Sequence, residues 1–264
     1  MPRFLRLFVC LLLACLCQAG PVHAQATQHA VLLMSEEQSD EGKVTPIPAA
    51  VKTLLRYLEQ HSGITFDIRR YPWKRALENA ENGEGLIFGI SKTQERLRSF
   101  KFSQPIFTDL SLLVTRCDSK FVFQSLDDLK DKTIGIVRGT SNGDKFDRLS
   151  NVLFKVEDDT NNNSRRLEKL YLGRMDAFLL YSSTNNISQL EKRLNRQYAA
   201  KFATQFTTNQ TKEKLFCILP KPVSSMDIHI AVRPDLDQGL IQKIDRAILR
   251  AHQDGELARV YALR

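Results

Sequence analysis

The chain has 264 residues, of which 42% are hydrophobic and 26% charged, and a formal charge of +8 at pH 7. Its lysines and arginines are spread along the chain without a long run, which excludes the concentrated basic stripe of a nucleic-acid binder. The charge reads as ordinary solvated surface with some preference for an anionic ligand.

The opening Met1-Pro2-Arg3-Phe4-Leu5-Arg6 is positive, residues 7–17 are almost wholly apolar, and Val22-His23-Ala24 offers a small-residue exit before Gln25. That order predicts a cleavable secretory signal over residues 1–24. The apolar run is shorter than the ~20 residues of a spanning helix, and no other stretch approaches that length, so a soluble, extracytoplasmic chain is expected. Leu12-Leu13-Ala14-Cys15 also resembles a bacterial lipoprotein box, which would acylate Cys15. Leu13 fits that box poorly, and the cleavage site after Ala24 is the preferred reading. Cleavage leaves 240 residues, enough for one large domain or two lobes of ~100 residues. It removes Arg3 and Arg6 and lowers the formal charge to +6. It also removes Cys10, Cys15 and Cys17. The remaining Cys117 and Cys217 can pair in an oxidising compartment or stay as buried thiols. No CxxC or His-rich spacing remains, so neither a metal nor another cofactor is expected.

Strand-like and helix-like segments then alternate. His29 to Met34 reads as a first strand, and Ser35 to Thr45 as a loop. Pro46 to Gln60 carries Val51, Leu54, Leu55 and Leu58 at helical spacing. Ile64 to Arg70 alternates as a strand, Trp73 to Asn82 reads as a helix ended by Gly83, and Leu86-Ile87-Phe88 as a buried strand. Ser125 caps a short helix to Lys130, with Asp127 and Asp128 in its first turn. Lys132 to Val137 is a strand, and Gly139-Thr140-Ser141-Asn142-Gly143 a turn opening a helix. Phe154 to Val156, Met175 to Tyr181, Lys214 to Leu219 and Asp227 to Val232 complete the strands. Helices are expected over Asn163 to Leu172, in the polar stretch after Tyr181, over Asp237 to His252 and over Gly255 to Ala262. Thr115 to Lys120 and Leu219 to Pro222 are the linker candidates. The alternation predicts an α/β fold with mainly parallel pairing.

Several of these segments carry a family resemblance. Tyr71-Pro72-Trp73-Lys74-Arg75-Ala76-Leu77 is followed by Gly89-Ile90-Ser91-Lys92-Thr93-Gln94-Glu95-Arg96 and by Phe102-Ser103-Gln104-Pro105-Ile106. Downstream come Ser125 to Leu129, Lys132 to Ser141, Leu172-Gly173-Arg174-Met175-Asp176-Ala177 and the tail from Asp254 to Tyr261. In this order they resemble the family 3 extracellular solute-binding proteins, the periplasmic amino-acid-binding proteins of ABC transporters. The resemblance implies the type II periplasmic-binding-protein fold: two α/β lobes joined by two hinge strands, with ligand in the cleft between them. It places residues 25–115 plus 217–264 in lobe one and 116–216 in lobe two. It also implies that Cys117 and Cys217, next to the two hinge crossings, pair and tie the lobes at their pivot.

The resemblance also points to the ligand site. Arg96 falls where the family holds the ligand carboxylate, and a guanidinium matches that group with a planar fork of donors. Ser91 would help hold the same carboxylate. Thr140 and Ser141 match donors of the second lobe, at the start of a helix, where free N–H groups favour anions. Tyr71 and Trp73 are candidates for an aromatic wall. Tyr181 is a departure: amino-acid binders often carry an acid here for the ligand ammonium. Its absence suggests a carboxylate or other polar metabolite rather than an ordinary α-amino acid, unless Glu36 or Glu37 reaches in from the first loop.

The implied function is capture of a small polar solute for an ABC permease, by a periplasmic monomer. Two rivals share the fold. One is a sensory protein presenting its ligand to a receptor. The other is a dehydratase-like enzyme, against which the matched cleft positions offer no convincing acid–base pair.

Overall fold

The computed structural model describes residues 28–39, 41–205 and 214–262, so the predicted leader and Cys15 lie outside them. Apolar residues with period two build β1 (Gln28–Ser35), where Leu32 and Met34 face one side of a sheet and Leu33 the other. The 3.6-residue stripe Val51, Leu54, Leu55, Leu58 builds α1 (Ala49–Ser62), which ends where Gly63 takes a left-handed φ of 68°. Then come β2 (Ile64–Tyr71), α2 (Trp73–Glu81), β3 (Leu86–Ser91), the single turn α3 (Arg96–Ser99) and the short β4 (Lys101–Phe102).

The ten-residue β5 (Phe107–Arg116) leads into a second block. It comprises β6 (Thr133–Val137), α4 (Asp144–Leu149), β7 (Lys155–Asp159), α5 (Asn163–Tyr171), β8 (Ala177–Ser182) and α6 (Ile187–Gln205). The chain returns through β9 (Phe216–Ile218) and β10 (Ser224–Val232) to α7 (Leu240–Gln253) and α8 (Glu256–Ala262). Ser125 and Asp128 form the predicted cap, but on a 3₁₀ turn over Leu126–Leu129. None of the described helices is long and apolar enough to cross a membrane.

The described strands form one sheet in the order β2-β1-β3-β10-β5-β8-β6-β7, with β4 beside β10 and β9 beside β5. Pairing is parallel within each flank, and antiparallel wherever β10 or β5 takes part. The expectation of mainly parallel pairing is corrected at the centre, because β5 and β10 run between the flanks instead of through βαβ units. The reading of Thr115 to Lys120 as a linker is also corrected: Thr115 lies inside β5 and is fully buried.

Two pairs of apolar cores follow. Around the first flank, Leu54, Leu58, Ile244 and Ile248 of α1 and α7 cover one face, and Ala76 and Ala80 of α2 the other. Around the second, Leu112, Val114, Phe178 and Phe216 face α5 and α6, while Leu113, Ile134 and Leu179 meet Phe146 and Phe154. Cys117 and Cys217 are bonded, with Cα atoms 5.0 Å apart. Their neighbours Phe216 and Ile218 belong to the second core, and Thr115 pairs with Cys217. The bridge therefore closes the second lobe on itself. It does not tie the two lobes at their pivot, because β5 meets β10 only over Phe107 to Ser111.

Candidate functional site

The carboxyl ends of β1, β2, β3, β6 and β8 converge on one cavity of about 220 Å³, where open α/β sheets place ligands. Arg96 reaches it from the start of α3. The turn is prepared by Thr93, whose Oγ1 accepts the Arg96 N–H at 3.1 Å. Arg96 as a whole is 7% exposed. Its Nη1 donates to Ser91 Oγ at 2.9 Å and to the Ser91 carbonyl at 3.2 Å, and its Nη2 to the Gly139 carbonyl at 3.2 Å. Trp73 stacks beneath it, 5.9 Å from Cζ to ring centre. No carboxylate among the described residues pairs with it, and burial pushes its pKa down from the ordinary value despite the more distant Asp147, Glu95 and Glu81. Buried cations normally carry a partner. Arg96 is a buried cation that lines a cavity.

Ser91 lines the same wall, at the end of β3. Trp73 lines it too, while its indole N–H donates across to the Gly139 carbonyl at 2.9 Å. Tyr71 does not. Successive residues of a strand face opposite ways, and in β2 it is Arg70 that meets the cavity. Tyr71 packs at the edge of the core beneath α2, with Arg75 over its ring. The aromatic wall is therefore Trp73 alone of that pair.

The second lobe contributes Val137, Thr140, Ser141, Asn161 and Tyr181. Thr140 and Ser141 precede a helix that starts only at Asp144, so they lie in a loop rather than on a helix terminus. Their hydroxyls shape that loop: Thr140 Oγ1 donates to the Val137 carbonyl at 2.7 Å, and Ser141 Oγ donates to Asp147. Tyr181 donates to Thr140 Oγ1 at 2.9 Å, and burial raises its phenol pKa above the ordinary value.

Two acids line the cavity, Glu37 and Asp109. Glu37 was the fallback candidate in the sequence. Glu36 is not among the lining residues, and its Oε1 accepts from Gln38 Nε2 at 3.1 Å. Asp109 was missed because β5 itself was missed. Its signal was the alternation Phe107, Asp109, Ser111 on one face of an extended segment. The inference from Tyr181 that the site lacks an acid is corrected accordingly: the acids come from the first loop and a central strand rather than from β8.

A model of the bacterial extracellular solute-binding proteins, family 3, matches residues 50–262, and the chain belongs to that family. No curated protein sequence matches it. Among solved structures it is similar to an ancestral arginine-binding protein bound to arginine, at 19% identity and a TM-score of 0.64 over 90% of this chain and 98% of that one. It is also similar to AbpA, an amino-acid ABC transporter substrate-binding protein from Streptococcus pneumoniae bound to L-arginine, at 18% identity and 0.63 over 89% and 93%. The GluR0 ligand-binding core from Nostoc punctiforme, in complex with L-glutamate, matches at 17% identity and 0.63 over 88% and 97%. The fold is the two-lobed type II periplasmic-binding-protein fold.

Proposed function

We propose that the protein captures a small, amino-acid-sized carboxylate between its lobes and delivers it to an ABC permease in the inner membrane. The observation that carries this reading is Arg96, a buried arginine that lines a cavity and has no carboxylate paired with it among the described residues. A ligand carboxylate supplies the missing counter-charge with bidentate geometry, and Ser91 fixes the arginine's orientation from behind. Asp109 and Glu37 provide acceptors for a ligand ammonium, which brings ordinary α-amino acids back within the expected ligands.

The lobes meet along β5 and β10. The segments Phe107 to Ser111 and Ser224 to Ile228 serve as the hinge, and the second lobe is the segment between them. Closure about such paired strands around a ligand is a known class of transition. The mature protein works as a monomer in the periplasm after removal of residues 1–24.

Calorimetry of the mature protein with amino acids and small carboxylates tests this. Arg96→Ala is expected to weaken any ligand by at least a hundredfold, the ~3 kcal/mol of a buried charge-assisted pair. Binding that survives the substitution unchanged removes Arg96 from the site and overturns the reading.

A further inference from the structure

We propose that the captured solute carries an apolar body, branched aliphatic or aromatic, behind its carboxylate; this rests on the carboxylate reading above. The cavity floor is built from cross-strand pairs of β5 and β10, and their chemistry changes along its length. Ser111 pairs with Ser224, Asp109 with Met226, and Phe107 with Ile228. At the first end, Ser224 Oγ donates to Ser111 Oγ and Ser111 Oγ to Asn142 Oδ1, both at 3.1 Å. At the other end the floor is wholly apolar.

The walls follow the same gradient. Arg96, Ser91, Thr140 and Tyr181 are the polar groups described above. Met34, Ile47, Pro48, Val51 and Phe88 close the opposite chamber above Phe107 and Ile228. Met34, Val51, Phe88, Phe107 and Ile228 belong to the first lobe's core. They keep 5–8% of their surface exposed while Leu32, Leu54 and Leu58 beside them keep at most 1%. The cavity thus opens a corner of an apolar core.

Four charged residues also line the cavity, Arg96, Arg70, Glu37 and Asp109, the last midway along the floor beside Met226. Arg70 has its Nη1 committed to the Thr45 carbonyl, and its buried Nε has no partner. Glu37 is exposed at the rim. A polar side chain packed against Val51, Phe88, Phe107 and Ile228 would give up water without gaining a partner from them. An apolar one gains about fourfold in affinity per buried methylene.

The test is calorimetry of the mature protein against L-alanine, L-leucine, L-phenylalanine, 4-methylpentanoate, 3-phenylpropanoate, L-arginine, L-glutamine and L-glutamate. The best apolar ligand is expected to bind about a hundredfold more tightly than the polar ones. The near-isosteric Val51→Thr should weaken that ligand about tenfold and L-alanine, which does not fill the chamber, far less. Tightest binding of arginine, glutamine or glutamate, still abolished by Arg96→Ala, overturns the apolar class and leaves the binding function standing. Failure of every carboxylate to bind overturns the proposed function and this inference with it.

Discussion

Gly139 is the residue on which the closed arrangement turns. Its carbonyl receives both the Trp73 indole N–H and Arg96 Nη2, so two groups of the first lobe are held by one oxygen of the second. Its φ is +80°, and a Cβ there would stand 3.1 Å from Cα and Cβ of Lys74. Any side chain meets both a strained backbone and a contact so tight that Lys74 must give by a few tenths of an ångström. Gly139→Ala is therefore expected to cost the closed form ~1–2 kcal/mol and to weaken ligand about tenfold. Calorimetry reads the affinity, and small-angle scattering reads the wider cleft. The family resemblance could bring Arg96 and Ser91 to the cavity wall, because they lie five residues apart in one local motif. It could not separate Trp73 from Tyr71, since which aromatic faces the cleft depends on how β2 presents its two faces.

At the scale of elements, β10 does two jobs on its two faces. Ile228 and Ile230 belong to the core beside the cavity, while His229 points the other way. There His229 Nδ1 donates to the Ser103 carbonyl at 2.8 Å, with Phe102 edge-on at 5.8 Å. Ser103 Oγ accepts the Ile230 N–H at 3.0 Å, so the Phe102-Ser103 motif fastens β4 onto β10. Burial, followed by Lys92, lowers the His229 pKa below 6.5; its bond to Ser103 and the charge of Asp227 oppose the shift. The unfolded chain then binds the proton more readily than the native one as pH falls below 6.5. This contribution is full above 6.5 and shrinks as acid is added. Urea melts should show stability falling from pH 7.5 to pH 5.5, with His229→Gln flattening that slope.

Most elements were legible from periodicity, as α1 and α7 illustrate, because each buries a single apolar stripe. The longest exception was β5, after the short α3 and β4. Phe107, Asp109 and Ser111 line the cavity, Thr108 between them is exposed and Leu110 packs on the second core, while Leu112 to Val114 is buried on both faces. A strand crossing two environments has no single period to read.

For the whole molecule, the oxidised bridge is a feature with its own test. Intact mass should rise by two hydrogens on reduction of the unfolded chain, and two free thiols in periplasmic material would contradict the pairing. A loop of 100 residues is closed, which the chain-entropy model values at ~4–5 kcal/mol. The bridge also shortens the route by which the first lobe finds itself. Ser111 and Ser224, which hydrogen-bond at the hinge, are 113 residues apart along the chain. Through the bridge, six residues lead from Ser111 to Cys117 and seven from Cys217 to Ser224. A distant encounter becomes a local one, and closing a short loop is the faster event. Trp73 is the chain's one tryptophan and sits in the first lobe. Its fluorescence should recover more slowly on refolding when Cys117 and Cys217 are reduced. A staple placed wholly within one lobe would then set the pace at which the other assembles.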